Sequence, residues 1–313
     1  PSEEIMIKEF IYNFLSKIFA TSRLITRNWE DEALVMQAKN LMSSNHWKSS
    51  IKDKVCIEDK EFKVYSQWGD DGIIQFLVKK LDIKNKYFVE FGVADFYESN
   101  SHFLLINNNW KGLVIDGSGK NIRRLKSSSI YWRYNLKAIN EFITKDNIMN
   151  IISSEVKTKI GLLHIDLDGN DYWILKETDF DALSPEIVIL EYNYIFGHER
   201  KITIPYEESF HRFKEHYCGL FFGASIGALN DFMSQKGYIF IGSNSARNNA
   251  YFIKDSKGDL IDKVVLSHEH TDAQFRISRD KNGNLDYVQP KKIIEKMRGL
   301  KVHNIETNEL EDF

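Results

Sequence analysis

The sequence predicts an α/β protein built on a doubly wound, mostly parallel sheet of seven strands, and three observations carry that expectation. From Ser66 onward, apolar runs alternate with segments of helical spacing, the rhythm of βαβ units that cover both faces of a sheet. The runs are short and continuously apolar, as in Tyr87-Phe88-Val89-Glu90-Phe91, Gly112-Leu113-Val114-Ile115 and Ile187-Val188-Ile189-Leu190, which is the pattern of strands buried on two faces. The rhythm then changes. A helix over Ala224–Lys236 stops at Gly237, and strands Tyr238–Gly242 and Ala250–Lys254 flank a polar turn, giving a terminal antiparallel hairpin.

Taken in order, residues 1–20 read as an amphipathic helix with Ile7, Ile11, Phe14, Leu15 and Ile18 on one stripe. Residues 21–60 read as helical and then irregular. Strands are expected near 86–91, 112–115, 130–134, 160–166 and 186–192, and helices near 71–81, 99–108, 137–152 and 170–177. Residues 255–313 are charged and hold a helix at 290–299 but no strand of the central sheet. The expected organisation is a helical extension over 1–63, the α/β domain over 64–255 and a charged extension over 256–313.

Composition sets bounds on function. With 313 residues, 42% hydrophobic and 28% charged, the chain has the make-up of a globular protein. A formal net charge of −3 gives no global pull toward nucleic acid or an anionic membrane. Cys56 and Cys218 form neither a disulfide framework nor metal-ligand spacing, so a reducing, cytoplasmic setting is expected. No apolar run approaches the ~18–20 residues of a membrane span. Pro1 opens the chain without a secretory pattern, a start that a domain fragment would share. The expected partner is a small molecule or precursor rather than nucleic acid, and the N-terminal stripe offers a surface for a second copy.

The chemistry is expected at the carboxyl ends of the strands, where ligands of parallel sheets gather. The first strand ends in Glu90, Gly92 and Asp95, and Ser99-Asn100-Ser101 opens the next helix. A strand, a glycine turn and a helix start form a cradle for a nucleotide. The second strand ends in Asp116, about where an acid meets a ribose hydroxyl. The turn lacks the further glycines of a dinucleotide fingerprint and any Lys-Ser/Thr pair for a triphosphate. That favours a nucleoside without a pyrophosphate, and S-adenosylmethionine is the commonest such cofactor.

The fourth and fifth strands end in Asp166, Asp168, Glu191 and Asn193. Carboxylates with an amide oxygen suit Mg²⁺ or Mn²⁺, which would lower a hydroxyl's pKa and position it. Without a metal, Asp166 would serve as a general base, with Glu191 beside it, or bind the amino group of the cofactor's methionine part. Asp171 has an equal claim as a turn and helix cap. Ahead of the domain's first helix, Ser66-Gln67-Trp68-Gly69-Asp70-Asp71-Gly72 reads as a loop over a ligand or a capped helix start. His211 and His216 read as structural, and the His268/His270 pair as part of a solvated loop.

These residues, in the order Ser66-Gln67-x-Gly69-x-Asp71-Gly72, Val89-Glu90-x-Gly92, Ile115-Asp116 and Ile165-Asp166-x-Asp168-Gly169, resemble the FkbM-like branch of class I S-adenosylmethionine-dependent methyltransferases. The resemblance covers roughly residues 64–255. It implies methylation of a hydroxyl oxygen, commonly on a surface polysaccharide or another glycosylated product. It places Glu90, Gly92 and Asp95 at the cofactor's methionine end and Asp116 at its ribose, with Gln67 and Asp71 closing the site; Ser99, at the opening of the next helix, is a further cofactor-binding candidate. The chain departs from the pattern at Ala94, where methyltransferases usually have glycine, and at Asp168, where many of this branch have glutamate. Two other readings of the residues remain: a nucleotide-sugar enzyme with a nicotinamide cofactor on the same fold, and a cofactor-binding assembly module without catalysis.

Overall fold

The computed structural model describes residues 29–52, 55–261, 278–288 and 290–313. The expected helix over 1–20 and the His268/His270 pair lie outside these. The chain divides into two compact units that meet between Ser49 and Ser50. The first contributes helical residues 29–43 (α1) and most of Asn45–Ser50 (α2).

In the second unit, α3 (Asp70–Lys80) leads into a run of strands and helices. Its first half is β1 (Tyr87–Phe91), α4 (His102–Asn108), β2 (Lys111–Asp116), α5 (Gly119–Lys126), α6 (Ser129–Arg133), β3 (Leu136–Asn140) and α7 (Ile148–Glu155). The run continues with β4 (Leu162–Ile165), α8 (Asp171–Glu177), α9 (Phe180–Leu183), β5 (Ile187–Glu191), β6 (Ile202–Thr203) and α10 (Arg212–Glu215). It closes with α11 (Ile226–Gln235), β7 (Tyr238–Ser243), β8 (Asn249–Lys254), α12 (Pro290–Met297), β9 (Lys301–Asn304) and β10 (Glu309–Asp312).

The main sheet has seven strands in the order β3-β2-β1-β4-β5-β8-β7. The pairs among β1 to β5 are parallel, and β8 runs antiparallel to both β5 and β7. This is the doubly wound sheet with the terminal hairpin expected from the sequence. Apolar side chains of the central strands, among them Val89, Phe91, Leu163, Ile165, Val188 and Leu190, are fully buried with α7, α8 and α11. That burial is the main force holding the layers together.

One strand and one helix differ from expectation. Residues 129–133 form α6, with no buried side chain, although Ile130-Tyr131-Trp132 has a strand-like composition. The strand is Leu136–Asn140, whose burial alternates between Leu136 and Ala138 inside and Lys137 outside. It is an edge strand bonded only to β2, so the helix expected over 137–152 begins later, at Ile148.

The segment between β5 and α11 joins the last part of the chain in a second, three-stranded sheet, β10-β9-β6. Phe196, Ile202, Leu220 and Phe221 pack there with Ile293, Met297 and Val302 of the C-terminal region. The charged extension thus carries strands of its own, outside the central sheet.

Candidate functional site

Strand register lines the site up. Across the sheet, Ile139, Ile115, Phe91, Ile165, Leu190 and Ala250 are paired in one row. One residue further along the parallel strands come Asn140, Asp116, Gly92, Asp166 and Glu191, with Asn249 opposite Glu191. An apolar row is therefore followed by a polar row at the carboxyl edge, where ligands of open α/β sheets bind.

Gly92 has φ +72°, and a Cβ there would lie 1.6 Å from the carbonyl oxygen of Asp166. The glycine lets the ends of β1 and β4 close on each other, a geometry that an L side chain would prevent. Ala94, two residues on, has φ +48°. That left-handed backbone is one that glycine adopts at less cost than alanine. Asp116 holds this turn: its Oδ2 accepts from the Ala94 N–H at 2.8 Å and its Oδ1 from the Ser118 N–H at 2.7 Å. Burial raises the Asp116 pKa, and those amide bonds oppose the rise. Asp95 accepts from the Tyr97 N–H and pairs with Arg124 at 3.0 Å.

Glu90 lies one residue inside the polar row and is 2% exposed. Its Oε1 accepts from the Asn100 N–H at 3.0 Å and lies 2.9 Å from His164 Nδ1. Its Oε2 accepts from the Ser99 hydroxyl at 2.5 Å, the Ser101 N–H at 3.0 Å and the Ser101 hydroxyl. Burial alone would raise this carboxyl, but the bonds from His164 and the serines outweigh it and hold it below the usual range. Burial lowers the His164 pKa, and the bond and charge of Glu90 more than offset it, leaving it raised. Ser99 and Glu90 thus fix the start of α4, and both Glu90 oxygens are engaged within the protein.

The loop before α3 is built the same way. Asp71 Oδ2 accepts the N–H groups of Val64, Tyr65 and Ser66 at 2.8, 2.6 and 2.9 Å. Burial drives its pKa up to about 6 against those three bonds. Asp70 receives Asn249 Nδ2 at 3.0 Å and the Tyr251 hydroxyl at 2.5 Å, tying α3 to the hairpin. Gln67 is exposed on this loop.

Asp166, Asp168 and Glu191 converge, with a carboxylate oxygen of each within 4.8 Å of the others. Glu191 is 7% exposed, and its Oε2 has no hydrogen-bond partner among the described residues. Burial, then the neighbouring charges of Asp166 and Asp168, push the Glu191 pKa well up. Burial and Asp168 push Asp166 up to about 7. Each carboxylate thus disfavours the charged form of the other. Arg212 of α10 pairs with Asp168, donates from Nε to the Gly219 carbonyl at 2.8 Å and stacks 4.1 Å from the Phe222 ring.

Two acidic-region residues lie outside this trio. Asn193 is fully buried and donates to the carbonyls of Leu220 and Phe222 at 2.8 and 2.9 Å, while its Oδ1 accepts from the Ile195 N–H. Asp171 accepts the N–H groups of Leu167 and Gly169 at 2.7 and 2.9 Å, so it caps the turn that carries Asp168. Arg212 is the partner that sequence reasoning missed. It lies 44 residues beyond Asp168, and no spacing rule links the two.

Beside this loop an open groove of about 400 Å³ is lined by Tyr206, Glu207, Phe210, Glu215, Phe221 and Lys301, among others. Asn170 donates to the Glu207 carbonyl at 2.8 Å, and a Cβ on Gly169 would strike the Phe210 ring at 2.2 Å. The groove wall and the acid-bearing loop are thus packed directly together.

No family model matches the chain, and no curated protein matches it. Among solved structures it is similar to M. capricolum TrmK in complex with S-adenosyl-homocysteine, at 12% identity over 55% of this chain and 63% of that one, with a TM-score of 0.32. It is similar to the O-methyltransferase from Bacillus cereus in complex with the same product, at 12% identity over 72% and 90%, TM-score 0.38. A third is an S-adenosylmethionine-dependent methyltransferase from Clostridium acetobutylicum, at 11% identity over 59% and 90%, TM-score 0.37. The chain spans less than two thirds of the length of the first of these. The likeness is one of fold: a seven-stranded, Rossmann-like sheet with a terminal hairpin.

Proposed function

We propose that the chain is an S-adenosylmethionine-dependent O-methyltransferase whose acceptor is a sugar hydroxyl of a polysaccharide or glycoconjugate precursor. The polar row Asp116, Gly92, Asp166, Glu191 at the carboxyl edge of the sheet carries this reading. The cofactor's ribose belongs at Asp116 and its methionine end at the Gly92 turn, between β1 and β4. The acceptor enters by the groove beside residues 166–171 and presents its hydroxyl to Asp166 and Glu191. A carboxyl whose pKa lies near 7 is matched to taking up a hydroxyl proton at neutral pH. Methyl transfer further needs the acceptor oxygen in line with the sulfonium, and Arg212, fixed to Asp168, holds that side of the site.

The same trio suits a divalent cation. Three carboxylates in reach of one point, one with an unpartnered buried oxygen, form a hard-oxygen donor set. Bound there, Mg²⁺ or Mn²⁺ would act as a Lewis acid on the acceptor oxygen.

The test is mass spectrometry of the natively purified protein for S-adenosylmethionine or S-adenosyl-homocysteine, followed by methyl transfer to sugar acceptors by Asp166→Asn and Glu191→Gln with and without chelator. Activity lost in Asp166→Asn but unmoved by chelator assigns a metal-free base. Loss on chelation with rescue by Mg²⁺ or Mn²⁺ assigns the metal. Full activity in both variants removes the chemistry from this site.

A further inference from the structure

We infer that the outer face of α5 and α6 is a docking surface for an anionic lipid membrane. The chain as a whole is slightly acidic, with a formal net charge of −3. Residues 117–140, in contrast, contain Lys120, Arg123, Arg124, Lys126, Arg133 and Lys137 and no Asp or Glu. Among the described residues, two of these six cations are answered by acids from elsewhere: Arg124 by Asp95 and Lys137 by Glu155. Lys120, Arg123, Lys126 and Arg133 have no ion pair among the described residues.

The local structure turns these groups outward. Ile122 and Leu125 bury the apolar side of α5, so the side left facing solvent carries the cations. Helix α6 buries no side chain at all. Its Trp132 is 72% exposed, and the Arg133 guanidinium lies 4.9 Å from the ring. Exposure of an indole to water carries a hydrophobic penalty, and an exposed indole beside an arginine is a combination found at a membrane–water interface. A cluster of four or more Lys/Arg on a helix adds attraction to acidic headgroups.

The complementary charge would also suit single-stranded nucleic acid. Such ligands are held in grooves that track the backbone, whereas these side chains stand on the outer faces of two short helices. The geometry therefore favours a broad surface over a threaded strand.

The experiment is co-sedimentation of the full chain with vesicles of phosphatidylcholine alone and of phosphatidylcholine mixed with phosphatidylglycerol, beside binding of a fluorescein-labelled oligouridine. Binding to the mixed vesicles only, weakened by added salt, is expected. The triple variant Lys120→Ala/Arg123→Ala/Lys126→Ala should lower that binding on the order of a hundredfold, at about fivefold per cation. Trp132→Ala should lower it about tenfold, through loss of the inserted ring. All these side chains are exposed, so melting curves of the variants check that the fold is unchanged. Equal binding to both vesicle types, binding unmoved by the triple or the Trp132 variant, or oligouridine bound more tightly than the mixed vesicles would each overturn the proposal.

Discussion

His164 Nδ1 lies 2.9 Å from Glu90 Oε1 at a position where the two residues are also register partners on adjacent parallel strands. Both side chains are almost fully buried. The pair joins β1 to β4 beneath the polar row, and Glu90 in turn holds the backbone that opens α4. Replacing one member leaves a buried charge without its partner, which costs about 3–5 kcal/mol. His164→Leu is therefore expected to lower unfolding free energy by that amount in denaturant titration. A loss under about 1 kcal/mol would show that the serines and Asn100 suffice for Glu90.

The pH dependence of stability follows from the directions of the shifts. The folded pKa of Glu90 is depressed, so its contribution is present above the unfolded value and is lost as pH falls through the folded one. His164 is raised, so its contribution is complete below the unfolded value and is lost as pH rises through the folded one. Asp71, Asp166 and Asp171 are pushed up to about 6, 7 and 6. The folded state binds more protons than the unfolded chain at these acids, so stability declines as pH rises from about 4 toward 7. Thermal unfolding between pH 5 and pH 8 should show a Tm that decreases with pH. A Tm that climbs over that interval would contradict the assignment.

Gly92 and Ala94 should respond to substitution to very different extents. At Gly92 an added methyl meets the Asp166 carbonyl oxygen at 1.6 Å on a left-handed backbone. Gly92→Ala is expected to destabilise by more than about 3 kcal/mol or to prevent folding. Ala94 already has a left-handed backbone, so Ala94→Gly removes strain while adding unfolded-state entropy. A change within about ±1 kcal/mol is expected, measured by the same titration.

Asp116→Ala should weaken S-adenosylmethionine binding by tenfold or more. A bond to a charged group contributes about 1.5–3 kcal/mol, and about 1.4 kcal/mol is one decade. Calorimetry of the variant reads this directly, with its Tm as a control because Asp116 also holds the Ala94 and Ser118 amides. Unchanged affinity would move the ribose elsewhere.

The central sheet was legible because β1, β2, β4 and β5 are buried on both faces, and such strands read as nearly continuous apolar runs, with Glu90 and His164 as paired exceptions. The end of each strand was legible too, since Asp116, Asp166 and Glu191 interrupt those runs abruptly. Composition misled at the edge. Ile130-Tyr131-Trp132 has the branched and aromatic residues of a strand, yet β3 is the alternating Leu136-Lys137-Ala138, because an edge strand keeps one face wet. Polar residues were legible as clusters but not by role. Asn193 follows Glu191 by two residues, yet its amide satisfies the Leu220 and Phe222 carbonyls. Arg212 reaches Asp168 only through the fold of the β5–α11 segment. The second sheet escaped notice because β6 is two residues long and finds its partner only near the end of the chain.

That last pairing bears on how the chain is made. Ile202 waits for Asn304, about a hundred residues later in synthesis, and a loop of that length closes slowly. The seven strands of the main sheet are all translated by Lys254, so its polar carboxyl edge can assemble before the residues that follow are made. The groove cannot, since Leu300 and Lys301 form part of its wall. A ribosome-bound intermediate would thus possess the polar edge of the main sheet before it possesses the groove beside it.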